Sequence, residues 1–568
     1  MLAGKNQYTN LATTEGKGLM KMRKYILFAL TVLIVSSMLA ACSSSDESAD
    51  QKDASAKDGE KKQVFNLISN DTIPTMDSSM ATDGYAFQFL GTTMEGLYRL
   101  GEDGKPVEGI AKKHSVSEDG LTWTFELRED ATWTNGDPVT AHDFVYAWRR
   151  AVDPETGSEY GPYMMGSVIK NAAKISNGEA ELDELGVKAE GDYQLVVELE
   201  NPTPYFESLT TFGTFYPLNE KFVEEQGDKY ATSADTMIFN GPFVMKDWAS
   251  TSSSWEVEKN PDYWDADAVQ LEKMTFDVIK DPQTALDLYQ KGEVDRVDLS
   301  SDFVDQYATD ENFVNTPEFG MRYFKFNMKT NEHLKNKNIR AAIGRAFDKQ
   351  SLVDEILNDG SLAATGIVPQ EFAKHPETGE DFREVNGDLM AYDVEEAKKY
   401  WEKGLKEEGI DSLELVFLAG DSEEGKTLSE YLANQLESNL EGLSVELKQV
   451  PMKQRVQADN NLEYDLQLSS WGPDYLDPNT FLNIFLEDTG GYYNEEFNKL
   501  VEKANTELAL KPVERFNTFL EAEKILFDDA AIGPVYQTGR AQLISPKMAD
   551  VIAVPFGPEY EYKWAHVE

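Results

Sequence analysis

The sequence carries one pattern suited to phosphate chemistry. Gly420 to Thr427, within "AGDSEEGKT", has the G-x-x-x-x-G-K-[ST] spacing of a phosphate-cradling loop. "LELVF" (Leu413–Phe417) before it reads as a strand and "TLSEYLANQLESNL" (Thr427–Leu440) after it reads as a helix, which is the context such a loop needs. Its charge argues the other way. A triphosphate is held by bare backbone N–H groups and one lysine. Here Asp421, Glu423 and Glu424 stand against Lys426, a local net of −2 that repels phosphate. The other reactive residue types are scattered. His114, His142, His333, His375 and His566 have no metal-ligand spacing among them. The acid-rich "NPDYWDADAVQLE" (Asn260–Glu272) lacks the central glycine and the acid positions of an EF-hand loop. There is no G-x-S-x-G elbow, and the single cysteine is Cys42. Neither catalysis nor a metal nor a cofactor is expected.

The first forty-odd residues say where the chain works. Lys21, Arg23 and Lys24 precede a ten-residue apolar run, Ile26–Val35, too short for a stable membrane anchor of about 20 residues. "LAAC" (Leu39–Cys42) follows and resembles the lipobox of bacterial lipoproteins. That resemblance implies a signal peptide over residues 1–41, with an upstream extension before Met20. It also makes Cys42 the lipidated N-terminus. A diacylated cysteine holds a domain at a membrane far better than one chain does. "SSSDESADQKDASAKDGEKK" (Ser43–Lys62) has no aromatic or large aliphatic residue and reads as a flexible tether. The formal charge is −49, and residues 1–41 hold five bases and one acid, so the mature chain is near −53. Nucleic acid and anionic headgroups are poor partners for such a surface.

From Gln63 onward strand and helix patterns intermix. "QVFNLIS" (Gln63–Ser69) is strand-like. "LTWTFELRE" puts Leu121, Trp123, Phe125 and Leu127 on one face of a strand. "TAHDFVYAWRRAV" (Thr140–Val152) reads as a helix capped by Thr140, with Asp143 three residues on. "YQLVVELE" (Tyr193–Glu200) is another strand, while Asn336–Leu357 and Ala391–Leu405 have helical patterns. No internal repeat and no later linker interrupts them, which favours lobes assembled from distant segments.

One stretch, "GIAKKHSVSEDGLTWTFELREDATWTNGDPVTAHDFVYAWRRAVDP" (Gly109–Pro154), resembles the signature region of the oligopeptide-binding proteins that feed ABC importers. Trp133, Gly136, Pro138, Val139, Thr140, Ala141 and Asp143 carry the central part. Further matches follow in order: "FNGPF" (Phe239–Phe243), "KNPDYWD" (Lys259–Asp265), "KGEVD" (Lys291–Asp295), "NIRAAIGRAFDK" (Asn338–Lys349), "SWGPDYLDPNTFL" (Ser470–Leu482) and "AIGPVYQ" (Ala531–Gln537). The resemblance implies an α/β fold of the periplasmic-binding-protein type, two lobes hinged around a cleft plus a third domain. By the same resemblance lobe I comprises about 63–94, 220–320 and 538–568. The additional domain is 95–219 and lobe II is 321–537.

The resemblance also implies a role and a site. The chain is expected to capture oligopeptides outside the cell and hand them to a membrane permease, whose ATPase subunits hydrolyse the ATP. A pheromone receptor or a surface adhesin on the same fold is the alternative. Asp474 matches the family aspartate that pairs with a peptide's α-ammonium. Trp471 and Tyr160 match cleft aromatics, and Thr82, Asp83 and Gly84 fall where the family lays strand residues beside the ligand. One departure stands out. Where some relatives carry a basic residue for the ligand's carboxylate, this chain has Leu468; either Lys453 or Arg455 upstream substitutes, or the ligand is longer, or its C-terminus stays in water.

Overall fold

A computed structural model describes residues 62–568 apart from 487–489. The leader, Cys42 and all of the tether except Lys62 lie outside the described residues. Among the described residues no helix is long and apolar enough to cross a membrane.

Alternating burial builds the first strands. β1 (Val64–Ser69) turns Phe65 and Leu67 into the core and pairs in parallel with Lys273–Val278, within a four-stranded sheet. Helix α1 (Gly84–Thr93) follows. β2 (Thr122–Leu127) buries Trp123, Phe125 and Leu127, as its alternation predicts, in a second, antiparallel four-stranded sheet. Helix α2 (Ala141–Val152) starts with the expected capping box: Asp143 accepts from the Thr140 N–H at 2.8 Å. Phe144, Ala147, Trp148 and Ala151 form its buried stripe. A short helix, α3 (Tyr160–Met165), packs behind it.

A seven-stranded mixed sheet is the largest of the fold, and three two-stranded sheets complete the described strands. Its centre is the antiparallel pair β3 (Phe313–Phe326) and β7 (Ile532–Ile544). β4 (Leu413–Gly420), α4 (Glu423–Asn439) and β5 (Leu443–Val450) make a βαβ unit, β4 and β5 pairing in parallel from Leu413–Leu443 to Gly420–Val450. β6 (Leu466–Trp471) lies between β4 and β3. The single helical pattern expected over Asn336–Leu357 is broken into Lys337–Arg345, Lys349–Ser351 and a π-turn at Leu352–Leu357.

Two large hydrophobic cores divide this α/β fold into two lobes. One spans Phe65 to Phe276 and takes in Tyr475 and Tyr562; the other spans Met321 to Tyr536. β3 and β7 run from the second core to a third, smaller cluster. One end of the pair packs Ala541 and Leu543 against Leu286, Val297 and Val304; the other end buries Phe324, Ile532 and Val535 in the second core. The ladder loses register between Pro317 and Met321, at mid-span.

Candidate functional site

The glycine-rich loop is the first candidate to test, and the helix after it starts too early for phosphate. Ser422 is the N-cap of α4, so Glu423 rather than Thr427 begins the helix. The Ser422 Oγ accepts from the Gly425 N–H at 3.0 Å, and its carbonyl accepts from the Lys426 N–H at 2.9 Å. The Thr427 hydroxyl donates to Glu423 O at 3.0 Å. The groups a phosphate would need are already bonded, and Lys426 points from an exposed helical turn.

The "SWGPDYLDP" segment ends β6 and turns into the space between the lobes. Trp471, Gly472 and Pro473 line a cavity of about 930 Å³ together with Phe319, Phe372 and Phe556. β6 pairs with β3 only from Met321 onward, so Pro317–Gly320, which also line this cavity, have no ladder partner on that side. A smaller cavity of about 300 Å³ adjoins it, and Glu318, Arg322, Arg540 and Glu559 line both. Arg540 bridges Glu318 at 2.6 Å and Glu559 at 2.9 Å.

Asp474 follows Pro473 and is 8 % exposed. Its backbone N–H donates to the Thr480 hydroxyl at 3.2 Å, and its Oδ2 accepts from the Tyr163 hydroxyl at 2.8 Å. Among the described residues no cation pairs with it. Burial pushes its carboxyl up to about 6, and the Tyr163 bond offsets only part of that rise. An isolated carboxylate at this depth is costly to keep charged.

Aromatic rings surround it. Tyr163 meets Trp471 edge-on at 6.1 Å and Tyr160 at 5.7 Å. Tyr160 also stacks on Phe212 at 5.9 Å and touches Phe87 of α1 at 5.3 Å. The Trp471 indole N–H is buried and makes no hydrogen bond. Nearby, Tyr475 stacks on Tyr205 at 4.2 Å, and the Leu476 N–H donates to the Ser208 hydroxyl at 3.2 Å. Tyr163, Tyr205 and Ser208 therefore meet residues 474–476 directly, next to Pro473 and Leu476, which line the larger cavity; Asp474 and Tyr160 do not line it. Asp477 is neutralised by a two-point pair with Arg515 at 2.5 and 2.8 Å.

The structure thus gathers Asp474, Trp471 and Tyr160 into one cluster. Thr82, Asp83 and Gly84 stand differently from expectation: no strand runs through them. Asp83 is the N-cap of α1, accepting from the Ala86 N–H at 3.0 Å, because a short acidic side chain satisfies a free helical N–H there. Burial raises its carboxyl above the usual range. Gly84 lines the smaller cavity. Arg455 donates to Leu468 O at 3.1 Å, so a guanidinium does reach the strand at the departing position. Burial and the nearby Arg322 charge lower its pKa. Tyr163 and Arg322 were missed from sequence. For Tyr163 a signal existed, since Tyr160 and Tyr163 at i, i+3 share one helix face.

The family model "Bacterial extracellular solute-binding proteins, family 5 Middle" matches residues 105–493. The chain belongs to this family. A family 5 relative, the dipeptide-binding protein of Lactococcus lactis subsp. cremoris, is 34 % identical over 569 residues, covering 97 % of this chain and 100 % of that protein. Dipeptide-binding protein DppE of Bacillus subtilis is 33 % identical, covering 93 % and 96 %. Among solved family structures, Listeria monocytogenes OppA bound to peptide superposes with a TM-score of 0.79 at 43 % identity, covering 89 % of this chain and 99 % of that one. The pheromone receptor PrgZ superposes with a TM-score of 0.79 at 34 % identity, covering 89 % and 100 %.

Proposed function

We propose that this solute-binding protein captures peptides between its lobes and delivers them to the permease of an ABC importer. The observation that carries this reading is Asp474, a buried carboxylate between two residues that line the larger cavity, Pro473 and Leu476, with one hydroxyl donor and, among the described residues, no cation. Every peptide with a free N-terminus brings an ammonium, so one fixed carboxylate serves a mixed ligand pool. The unpaired stretch Pro317–Gly320 supports main-chain bonding to an extended ligand, in the manner of an added strand. Phe319, Phe372, Trp471 and Phe556 offer apolar walls to side chains without selecting one sequence. Arg322 and Arg455 supply the positive end for a ligand carboxylate in place of the residue that Leu468 replaces.

In this reading lobe I comprises 63–94, 220–320 and 538–568, the additional domain 95–219 and lobe II 321–537, with β3 and β7 as the hinge. Thr82, Asp83 and Gly84 border the ligand from lobe I. The protein performs no chemistry on the peptide; ATP is hydrolysed by partner subunits. A lipid on Cys42 and the tether after it keep the receptor at the outer face of the cell membrane. The likeness to PrgZ favours a second reading within the same ligand class, a receptor for one signalling peptide. Native mass spectrometry of the purified protein tests both. A mixture of co-purified peptides supports the scavenger, a single peptide the signalling receptor, and failure to bind any peptide refutes both.

A further inference from the structure

Tyr163 comes to Asp474 from another part of the chain, and the local packing holds it there. α3 lies against the C-terminal end of α2, where Gly161 is buried. A Cβ on Gly161 would collide with the Ala151 carbonyl oxygen, so a glycine permits this close approach. The Gly161 N–H donates to the Ser158 hydroxyl at 2.9 Å. Tyr160 is wedged among Phe87, Phe212 and Tyr163, which fixes the helix face. The Tyr163 ring is 39 % exposed, yet its hydroxyl ends on a carboxylate that is 8 % exposed. Oδ2 takes that bond, and among the described residues no side chain bonds to Oδ1. The hydroxyl stays a donor, because burial and the Asp474 charge raise the phenol well above its ordinary range.

We propose that Tyr163 is a positioning residue for ammonium recognition. It locks the Asp474 carboxylate through Oδ2, presents Oδ1 to the ligand, and does so only when the lobes are closed. This rests on the peptide-receptor reading above. With the lobes apart, Asp474 meets water instead of the phenol, so the bond counts toward the closed, liganded state alone. Ammonium binding and closure thereby reinforce each other through one carboxylate. The titratable groups facing Asp474 are Tyr160 and Tyr163 on α3 and Tyr475 beside it, all phenols and neutral near pH 7, with burial raising them further. Asp83, on the far side of Tyr160, caps α1, and burial raises its carboxyl too. Of these, Asp474, pushed up to about 6 by burial, is the group bonded to the Tyr163 hydroxyl.

Tyr163→Phe keeps the ring and its edge contact with Trp471 and removes the hydroxyl. Calorimetry should show free-amine peptides losing about 10- to 100-fold in affinity at neutral pH, the range for a hydrogen bond to a charged group. N-acetylated peptides should lose much less, only the share the bond contributes to closure itself. The pH below which free-amine affinity falls should move upward, because a donor that favours the charged carboxylate is gone. In an Asp474→Asn background, Tyr163→Phe should have little further effect on affinity. Equal losses for free and acetylated peptides, or an unmoved pH midpoint, would overturn the proposal. Wild-type protein is measured first: if it binds no peptide, the receptor reading itself fails, whereas a binding wild type with an indifferent Tyr163→Phe sinks this inference alone.

Discussion

Tyr163 and Asp474 are 311 residues apart in the chain, yet the phenol hydroxyl donates to the carboxylate at 2.8 Å. Around this contact Tyr205 stacks on Tyr475 and Ser208 accepts from the Leu476 N–H, so the two walls of the cleft are joined at three neighbouring points. The rest of the site is arranged about a buried acid that, among the described residues, no cation neutralises.

That acid destabilises the ligand-free protein. Burial pushes its folded-state carboxyl up to about 6, above the ordinary aspartate range. A carboxyl raised in the folded state adds no penalty below the unfolded value. The penalty grows as pH rises between the two values and is complete above about pH 6, where it amounts to about 3 kcal/mol. Asp474→Asn should therefore unfold at a higher temperature than wild type near pH 8. The difference should shrink toward pH 4. Equal unfolding temperatures at both pH values would contradict the burial argument.

Closure is the second expectation. The register break between Pro317 and Met321 lies on the two strands that join the lobes, where a change of angle disturbs few ladder bonds. Small-angle scattering should give a smaller radius of gyration with saturating peptide than without. Tyr205→Ala, which removes the stack on Tyr475, should lessen that change. An identical radius with and without peptide would argue for a rigid cleft.

The phosphate-loop pattern makes a third test. With the Gly425 and Lys426 N–H groups bonded to Ser422, ATP has no cradle. Lys426→Ala should leave peptide affinity and stability within experimental error. ATP should produce no heat in calorimetry with either protein. Micromolar ATP binding abolished by Lys426→Ala would refute the reading.

Local signals made much of the fold legible. Thr140 and Asp143 announced a capping box, and Trp123, Phe125 and Leu127 announced a buried strand face; both are decided by neighbours within four residues. Asp83 was equally readable as a helix cap, but alignment to a strand position hid it. The break after Arg345 was not readable, because a π-turn answers to packing rather than to apolar spacing. Asp474 and Trp471 sit in one short motif and could be singled out from it. Their junction with Tyr163 depends on two segments meeting in space, and no periodicity reports that.

Anchoring is tested apart from binding. If Cys42 carries lipid, Cys42→Ala should move the protein from the membrane fraction to the medium while peptide affinity stays the same. Undiminished membrane association of the variant would exclude Cys42 as the anchor.

Recognition of the peptide ammonium by Asp474 is tested most directly by a two-by-two calorimetric cycle. Wild type and Asp474→Ala are each titrated with a free-amine peptide and with its N-acetylated form. Removing one partner of a buried pair leaves the other uncompensated, at a cost of about 3–5 kcal/mol. Asp474→Ala should therefore weaken the free peptide on the order of a hundred- to a few-thousand-fold. The acetylated peptide should bind wild type poorly and lose much less on mutation. A coupling energy below about 0.5 kcal/mol would mean that the ammonium is held elsewhere, with Asp83 the next acid to test.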